Sequence, residues 1–505
     1  MSDQQRADSL GCCGNAVART PNLDALAERG ALLSNHFTPN QMCSPSRSTL
    51  FSGYYPRHHS LTRNGIALPH DTPLLTHDLG RAGFKVNGVG KFHFQPILAP
   101  VEYVMPDSNA FWTLPESKSW RGPFFGFDAV DMVIGESAAV THGGHYARWL
   151  AETAPEVGKL YLPEHALSSR PDDLDEIWKS AVPSDLHYNN WITDRACDFL
   201  AEHNAREPFF LFVSYPDPHH PFSPPAPWCD LFDPDSVPVP ENIPGELDRM
   251  PSYICDDSPG DDKSSGDNKS YFDFLLDPGI AREQGFMQTT DRFSQGTMAQ
   301  AIAHTYGMVS MIDDGVGRIL AELEARGLDD DTIIIFTSDH GELLGDHGLI
   351  RKGPPPYDQL LRIPMIVSGP SIVPGTRQQM TSHLDIRATI LELLGLEGNH
   401  GDGTSFAKLL HHKTAPGRTR LFGEYHPRAS SQKYNQTLLT NDWRLTIYPE
   451  RLDWGELFDR RGDPGEHKNL YFDPAFSSIR DELMVEIARD WPPAPDAGGQ
   501  AIAVY

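Results

Sequence analysis

Long hydrophobic runs are missing from this 505-residue chain, and positive charge is in short supply. No stretch approaches the roughly 18 consecutive apolar residues that a bilayer-spanning helix requires, which argues against a transmembrane protein. Lys and Arg number 42 against 69 Asp and Glu, a formal net charge of −27. Such a balance opposes non-specific attraction to nucleic-acid phosphate or to an anionic membrane, so neither is expected as a partner. It leaves room for a small anion, because a pocket can gather cations locally. Cysteine is scarce as well. Cys12, Cys13, Cys43, Cys197, Cys229 and Cys255 are too few for the disulfide framework of a small secreted domain, and reduced thiols are expected. The first ten residues, MSDQQRADSL, lack a basic segment followed by an apolar one, so a cytoplasmic location is expected.

What is present is a globular composition with 39% hydrophobic and 22% charged residues. The β-branched run TIIIFT at 332–337 lies between an acidic turn and the polar SDHGE, and reads as a buried strand delivering functional residues at its carboxyl end. PFFLFVSY at 208–215 is a second such strand and leads into DPHHPF, and IPMIVSG at 363–369 is a third. Residues 301–326 have helical periodicity, and Thr20-Pro21 marks a helix start. Strands alternating with helices predict an α/β fold with a large, mostly parallel sheet, whose ligands would sit beyond the strands' carboxyl ends. Stretches 97–185 and 225–291 read as insertions. The second contains an acidic, Gly/Ser-rich segment that reads as a surface loop. A catalytic domain over 1–395 and a smaller α+β domain over 396–505 are expected.

The segment MCSPSRSTLFSG at 42–53 places Cys43 just ahead of a proline-started helix, where free backbone N–H groups and the helix dipole favour an anion, with Arg47 one turn later. An isolated Cys-Ser-Pro would read as a buried cysteine. Here it resembles the sulfatase signature Cys-x-Pro-Ser-Arg, and DQQRADSLGCCGN, TPNLDALAERG, SGYYPRHH, GVGKFHF, DPHHPF, TSDHGE, GDHGLIRKG and GELFDRRGDPGEHKNL resemble further landmarks of that family in order. The resemblance covers nearly all of the chain outside the two insertions. It points to the alkaline phosphatase superfamily, on a branch near choline sulfatases and phosphonate monoester hydrolases.

The resemblance implies that Cys43 is converted to formylglycine by a formylglycine-generating enzyme. Its hydrate would act as the nucleophile beside one divalent cation, calcium foremost, with manganese or magnesium as alternatives. Implied cation ligands are Asp3, Cys43, Asp339 and His340; Gln4, an aspartate in many sulfatases, is not counted. Arg47, Lys91 and Lys352 would hold the anion, and His93 would take the proton that releases sulfate. Lys91 and His93, two apart, would share one side of an extended segment. His219 with Lys352 would serve the departing alcohol, His220 being the weaker candidate of its pair. Asn64 could be a turn residue or a substrate contact, His59 is a weaker candidate, and Asp346 and His347 read as structural.

The expected activity is hydrolysis of a small-molecule or carbohydrate sulfate ester, with homo-oligomerisation left open. Asp-Gln at 3–4 and Asn64 favour the alternative of a phosphonate monoester or phosphodiester hydrolase. A third reading is an anion-binding relative whose cysteine is never converted. Because only Met1 and Ser2 precede Asp3, the resemblance also predicts an apolar strand upstream of Met1, and without it a frayed terminus that holds a cation weakly.

Overall fold

The structure, a computed structural model, describes residues 1–252, 288–290, 293–427, 433–493, 499 and 501–503. Cys255 and the acidic Gly/Ser-rich segment lie outside the described residues. Helix α1 (Pro21–Glu28) and strand β1 (Ala31–Leu33) lead to helix α2 (Cys43–Ser52), and β2 (Lys85–Gly90), β3 (Ala129–Met132), α3 (Tyr188–Glu202) and β4 (Phe209–Ser214) follow. The long helix α4 (Gln295–Ala325) precedes β5 (Ile334–Thr337), β6 (Met365–Ser368), β7 (Gly375–Arg377) and α5 (Ile386–Leu393).

Pro21 occupies the first turn of α1, while the Thr20 hydroxyl turns aside to accept from Gly11 N and to donate to Asp24. Helix α4 starts earlier than its periodicity suggests because the Ser294 hydroxyl caps it by accepting from Thr297 N at 3.0 Å. Strand β3 was hidden within an aperiodic stretch, since four residues are too short to display alternation.

Strand β2 pairs in parallel with β3 and β4, and β1 pairs in parallel with β7. Strand β6 runs antiparallel to its neighbours β1 and β5, so the sheet is mixed but mostly parallel. The two halves are joined by the first three residues. Ser2 bridges Ser338 in parallel, the Met1 amine donates to Val213 O at 2.8 Å, and Asp3 N donates to Asp217 O at 3.1 Å. The expected fraying is not seen: Ser2 and Asp3 are fully buried. Upstream of that tripeptide the facing edges of β4 and β5 are separated by an apolar cavity of about 990 Å³, lined among others by Met1, Phe210, Phe212, Leu323, Ile335 and Leu393. Burial in this apolar slot pushes the Met1 amine down to a pKa of about 5.

The C-terminal region is a four-stranded antiparallel sheet of β8 (Arg420–Tyr425), β9 (Asn435–Thr440), β10 (Trp443–Ile447) and β11 (Gly455–Asp459), packed with helix α6 (Ser477–Asp490). Phe406, Leu409 and Leu410, which precede it, pack into the main core beside α2 and α5. Among the described residues no helix is long and apolar enough to cross a membrane.

The slot generates a test. Extending the chain at Met1 by a short run of valines and isoleucines supplies backbone partners for both edges and apolar side chains for the cavity. The extended protein should melt at least about 2 °C higher in calorimetry; an unchanged Tm would show that the slot does not accept a strand.

Candidate active site

Four loops converge at the carboxyl ends of β2, β4, the N-terminal tripeptide and β5, and α2 points its first turn at them. Every residue of α2 is buried. Phe51 anchors it through edge-to-face contacts with Phe212 at 4.9 Å and Phe94 at 5.3 Å, each worth about 0.5–1.5 kcal/mol. Cys43 is the first residue of the helix rather than the residue before it, so its sulfur sits at the helix N-terminus.

Arg47 lies at the centre of the charge network. Its Nε donates to Asp339 Oδ2 at 2.9 Å, one terminal nitrogen donates to Asp3 Oδ2 at 3.1 Å, and the other to Lys91 O and Ser214 Oγ, both at 2.8 Å. Lys91 Nζ lies 2.7 Å from Asp3 Oδ2 and 3.0 Å from Glu136 Oε2. Burial would raise the Asp3 carboxyl, but Lys91 and Arg47 hold it well below the usual carboxylate range. Burial and Asp3 likewise push Asp339 upward, yet His340 and Arg47 prevail and keep it low. Both remain carboxylates at neutral pH.

Asp339 Oδ1 accepts from the backbone N–H of Gln4 and of His340, each at 2.9 Å. His340 Nδ1 lies 2.9 Å from Gly341 O and donates to it, which leaves the Nε2 lone pair facing Cys43 Sγ at 3.2 Å and Asp3 Oδ1 at 3.8 Å. Burial pushes His340 down to about 4, so the ring is neutral. Gly341 permits the close approach of the 359–360 backbone, since a Cβ there would stand 1.8 Å from Gln359 O. One donor atom from each of Asp3, Cys43, Asp339 and His340 lies within 4.8 Å of the others. Two carboxylates, a neutral imidazole and the Cys43 position fit a divalent cation. The Cys43 thiol is pushed up to about 11 by burial and by Asp3, against Lys352 and Lys91.

Lys352 Nζ reaches Gln4 Oε1 at 2.9 Å, Cys43 Sγ and His340 Nε2 at 3.0 Å, and His219 Nε2 at 3.2 Å. His219 Nδ1 points at His220 O, so its Nε2 lone pair faces Lys352, and burial with Lys352 pushes its pKa to about 3. Gln4 donates through its amide nitrogen to Glu342 Oε2 and to His220 Nδ1. It and His220 thus position Lys352 and stand behind the site.

Lys91 follows Gly90, where a Cβ would lie 1.8 Å from Ser214 O, and this close approach sets Lys91 against Asp3. His93 adopts φ 61, so 91–93 is not the regular extended segment expected. Burial, Lys91 and Arg47 keep the His93 ring neutral. Asp107 holds the next two residues by accepting from Phe94 N at 2.8 Å and Gln95 N at 3.2 Å.

Asn64 is both turn and site residue. Its Oδ1 accepts from Ser44 N at 3.2 Å, while its buried Nδ2 has no hydrogen-bond partner among the described residues. His59 packs behind α2 against Thr49 and away from the charges. Asp346 pairs with Arg6, and His347 joins a separate group with Glu246. Sequence reasoning missed Glu136 and Asp107; both come from stretch 97–185, where no motif surrounds them.

Fold and site together define a hydrolase of the alkaline phosphatase superfamily. Residues 1–396 match the Sulfatase family, and residues 345–490 match the C-terminal domain of N-sulphoglucosamine sulphohydrolase. The chain belongs to the sulfatase family. A multifunctional alkaline phosphatase superfamily protein, PehA, of Trinickia caryophylli is 30% identical across 94% of this chain and 91% of its own length. An arylsulfatase of Clostridium perfringens is 25% identical across 93% and 89% of the two chains. The crystal structure of a phosphonate monoester hydrolase of Agrobacterium radiobacter superimposes with a TM-score of 0.74 over 96% of this chain and 93% of that one, at 24% identity.

The Arg47 network predicts a large effect on stability. Arg47→Ala leaves Asp3 and Asp339 buried without their shared cation and should cost about 3–5 kcal/mol in denaturant unfolding of the metal-free protein. Arg47→Lys, which keeps the charge but not the fork, should recover only part of the loss.

Proposed function

We propose that this enzyme hydrolyses the sulfate monoester of a small molecule or carbohydrate, using formylglycine derived from Cys43 and one divalent cation held by Asp3, Cys43, Asp339 and His340. Calcium is the first choice, because two carboxylates and the formylglycine oxygen would make three of the four donors oxygen, with manganese or magnesium as alternatives. The observation that carries this reading is the convergence of Arg47, Lys91 and Lys352 on one buried cysteine at a helix N-terminus. The cation would supply charge neutralisation for Asp3 and Asp339, and the formylglycine a nucleophile for sulfur.

The surrounding residues divide the remaining work. Lys91 and Lys352 draw the sulfate oxygens toward position 43, and the first-turn N–H groups of α2 add their partial charge. Lys352 holds a proton between position 43 and His219, and His219 offers it a lone pair. The pair is therefore arranged to hand a proton to the departing alcohol oxygen and to restore it afterwards. His93, neutral at working pH, takes a proton when sulfate leaves. The Asn64 Nδ2 hydrogens, without an acceptor among the described residues, are available to an ester oxygen.

A second reading, hydrolysis of a phosphonate monoester or phosphodiester at the same centre, is supported by Asn64 and by the Gln4–Lys352 contact. A sulfate monoester, a phosphonate monoester and a phosphodiester each carry one negative charge, whereas a phosphate monoester carries two near neutral pH. Glu136 beside Lys91 offsets one cation and suits the singly charged group.

Mass spectrometry of the peptide containing Cys43 tests the nucleophile: conversion exchanges H₂S for oxygen, an unmodified thiol in active enzyme would remove the proposed nucleophile, and an unmodified thiol in protein without turnover would leave an anion-binding relative as the better account. Cys43→Ala should abolish turnover with Tm preserved. Relative turnover of an aryl sulfate and phenyl phosphonate chooses between the two hydrolase readings. His219→Ala should slow alkyl sulfates far more than nitrophenyl sulfate, since a nitrophenolate leaves without a proton; equal losses would contradict the assignment. Glu136→Gln should tighten inhibition by inorganic phosphate about tenfold relative to that by a singly charged ester, and an unchanged ratio would deny Glu136 a part in charge selection.

A further inference from the structure

Glu246, His347 and His467 also bring metal-type donors together, away from the Cys43 centre. One donor atom from each lies within 4.8 Å of the others. Glu246 Oε1 is 2.7 Å from His347 Nδ1 and 3.1 Å from His467 Nδ1. Glu246 and His347 are buried, and the His467 side chain is 39% exposed, so the group reaches solvent on one side. The three residues are remote in sequence. Glu246 lies in the stretch read as an insertion, His347 in the loop that follows Asp339 and His340, and His467 just beyond β11.

The far side of His347 constrains the chemistry. Its Nε2 lies 3.3 Å from the side-chain oxygen of Gln359, and its ring stacks on Tyr357 at 3.7 Å between centroids. Without a cation, Nδ1–H donates to the Glu246 carboxylate at 2.7 Å. A cation entering between them would displace that proton and turn the hydrogen bond into ligation, with the ring's other proton held on Nε2 by the Gln359 oxygen, the usual support of a metal-bound histidine. A tetrahedral site with bonds of about 2.1 Å separates its ligand atoms by about 3.4 Å. Glu246 would need to withdraw by less than about an ångström to admit an ion.

We propose that Glu246, His347 and His467 form a second divalent-cation site, of the imidazole-preferring class represented by zinc, with water completing the coordination on the open side. Two imidazoles and one carboxylate are a zinc-type donor set, whereas the aspartate-rich Cys43 centre suits a harder ion. Because its ligands come from three separate segments, a bound ion cross-links the insertion stretch, the loop behind the catalytic residues and the C-terminal sheet. Binding should therefore appear as stability.

The test titrates zinc alone into the calcium-saturated full chain and reads stoichiometry by calorimetry and elemental analysis. Wild type should bind one equivalent at micromolar zinc and gain Tm. His467→Ala, whose partly exposed side chain can be removed without a buried cavity, should lose both responses while keeping its zinc-free Tm. His347→Ala should bind none of this equivalent, and Gln359→Leu should bind it about tenfold to a hundredfold more weakly. Asp339→Asn, altered only at the other centre, should retain it. Equal zinc binding by wild type and His467→Ala, loss in Asp339→Asn alone, or no zinc on wild type would each overturn the proposal and leave a carboxylate hydrogen-bonded to two histidines.

Discussion

A single guanidinium, that of Arg47, keeps two buried carboxylates from repelling one another, and the geometry of the site follows from it. Its nitrogens reach Asp339, Asp3, the Lys91 carbonyl and the Ser214 hydroxyl, which stand at the ends of four strand segments. Burying this much charge is expensive, and the fold offsets the cost by giving every carboxylate oxygen of Asp3 and Asp339 that faces Arg47 a charged donor. A lysine cannot reach in several directions from one plane, so arginine is required at the site's geometric centre. The first three residues are locked into the sheet partly through this ion pair, and the catalytic end of the slot between β4 and β5 stays closed.

Around that knot the structure distributes polar groups by their donor and acceptor capacity. Gln4 shows why an amide suits its position: the oxygen accepts from Lys352 while the nitrogen donates to Glu342 and His220. A carboxylate there would face Glu342 at hydrogen-bond distance with no proton between them. Glu136 has a related part beside Lys91, where it leaves the pocket less positive than its lysines and arginine suggest. The neutral histidines follow from burial near cations, which removes their charged form and leaves lone pairs facing Lys352 and the Asp3–Asp339 pair.

The C-terminal sheet contributes to the catalytic face from behind. Arg444, fully buried between Glu456 and Glu466, ties β10 to β11 and to the turn that carries His467. Glu466 in turn accepts from Asp358 N, next to the stacked pair of Tyr357 and His347. The loop that follows Asp339 and His340 is thus braced by residues more than a hundred positions away.

The sequence by itself determined the elements whose signals are local. TIIIFT had to be a buried strand, Thr20-Pro21 a helix start, and CSPSR with Arg47 one turn after Cys43 a helix N-terminus aimed at an anion, because β-branching, proline and helical spacing act within a few residues. The ordered landmarks likewise placed Asp3, Lys91, His93, His219, Asp339, His340 and Lys352 in one family pattern. Only the tertiary structure decided what depends on distant segments meeting. It showed the first three residues buried rather than frayed, β6 reversed within the sheet, His93 with a left-handed backbone, and Glu136 brought to Lys91 from an aperiodic stretch. It also gathered Glu246, His347 and His467, which no local spacing relates. The division has one cause: backbone propensity and side-chain period are written in neighbouring residues, whereas a buried charge's partner is chosen by whichever segment packs against it.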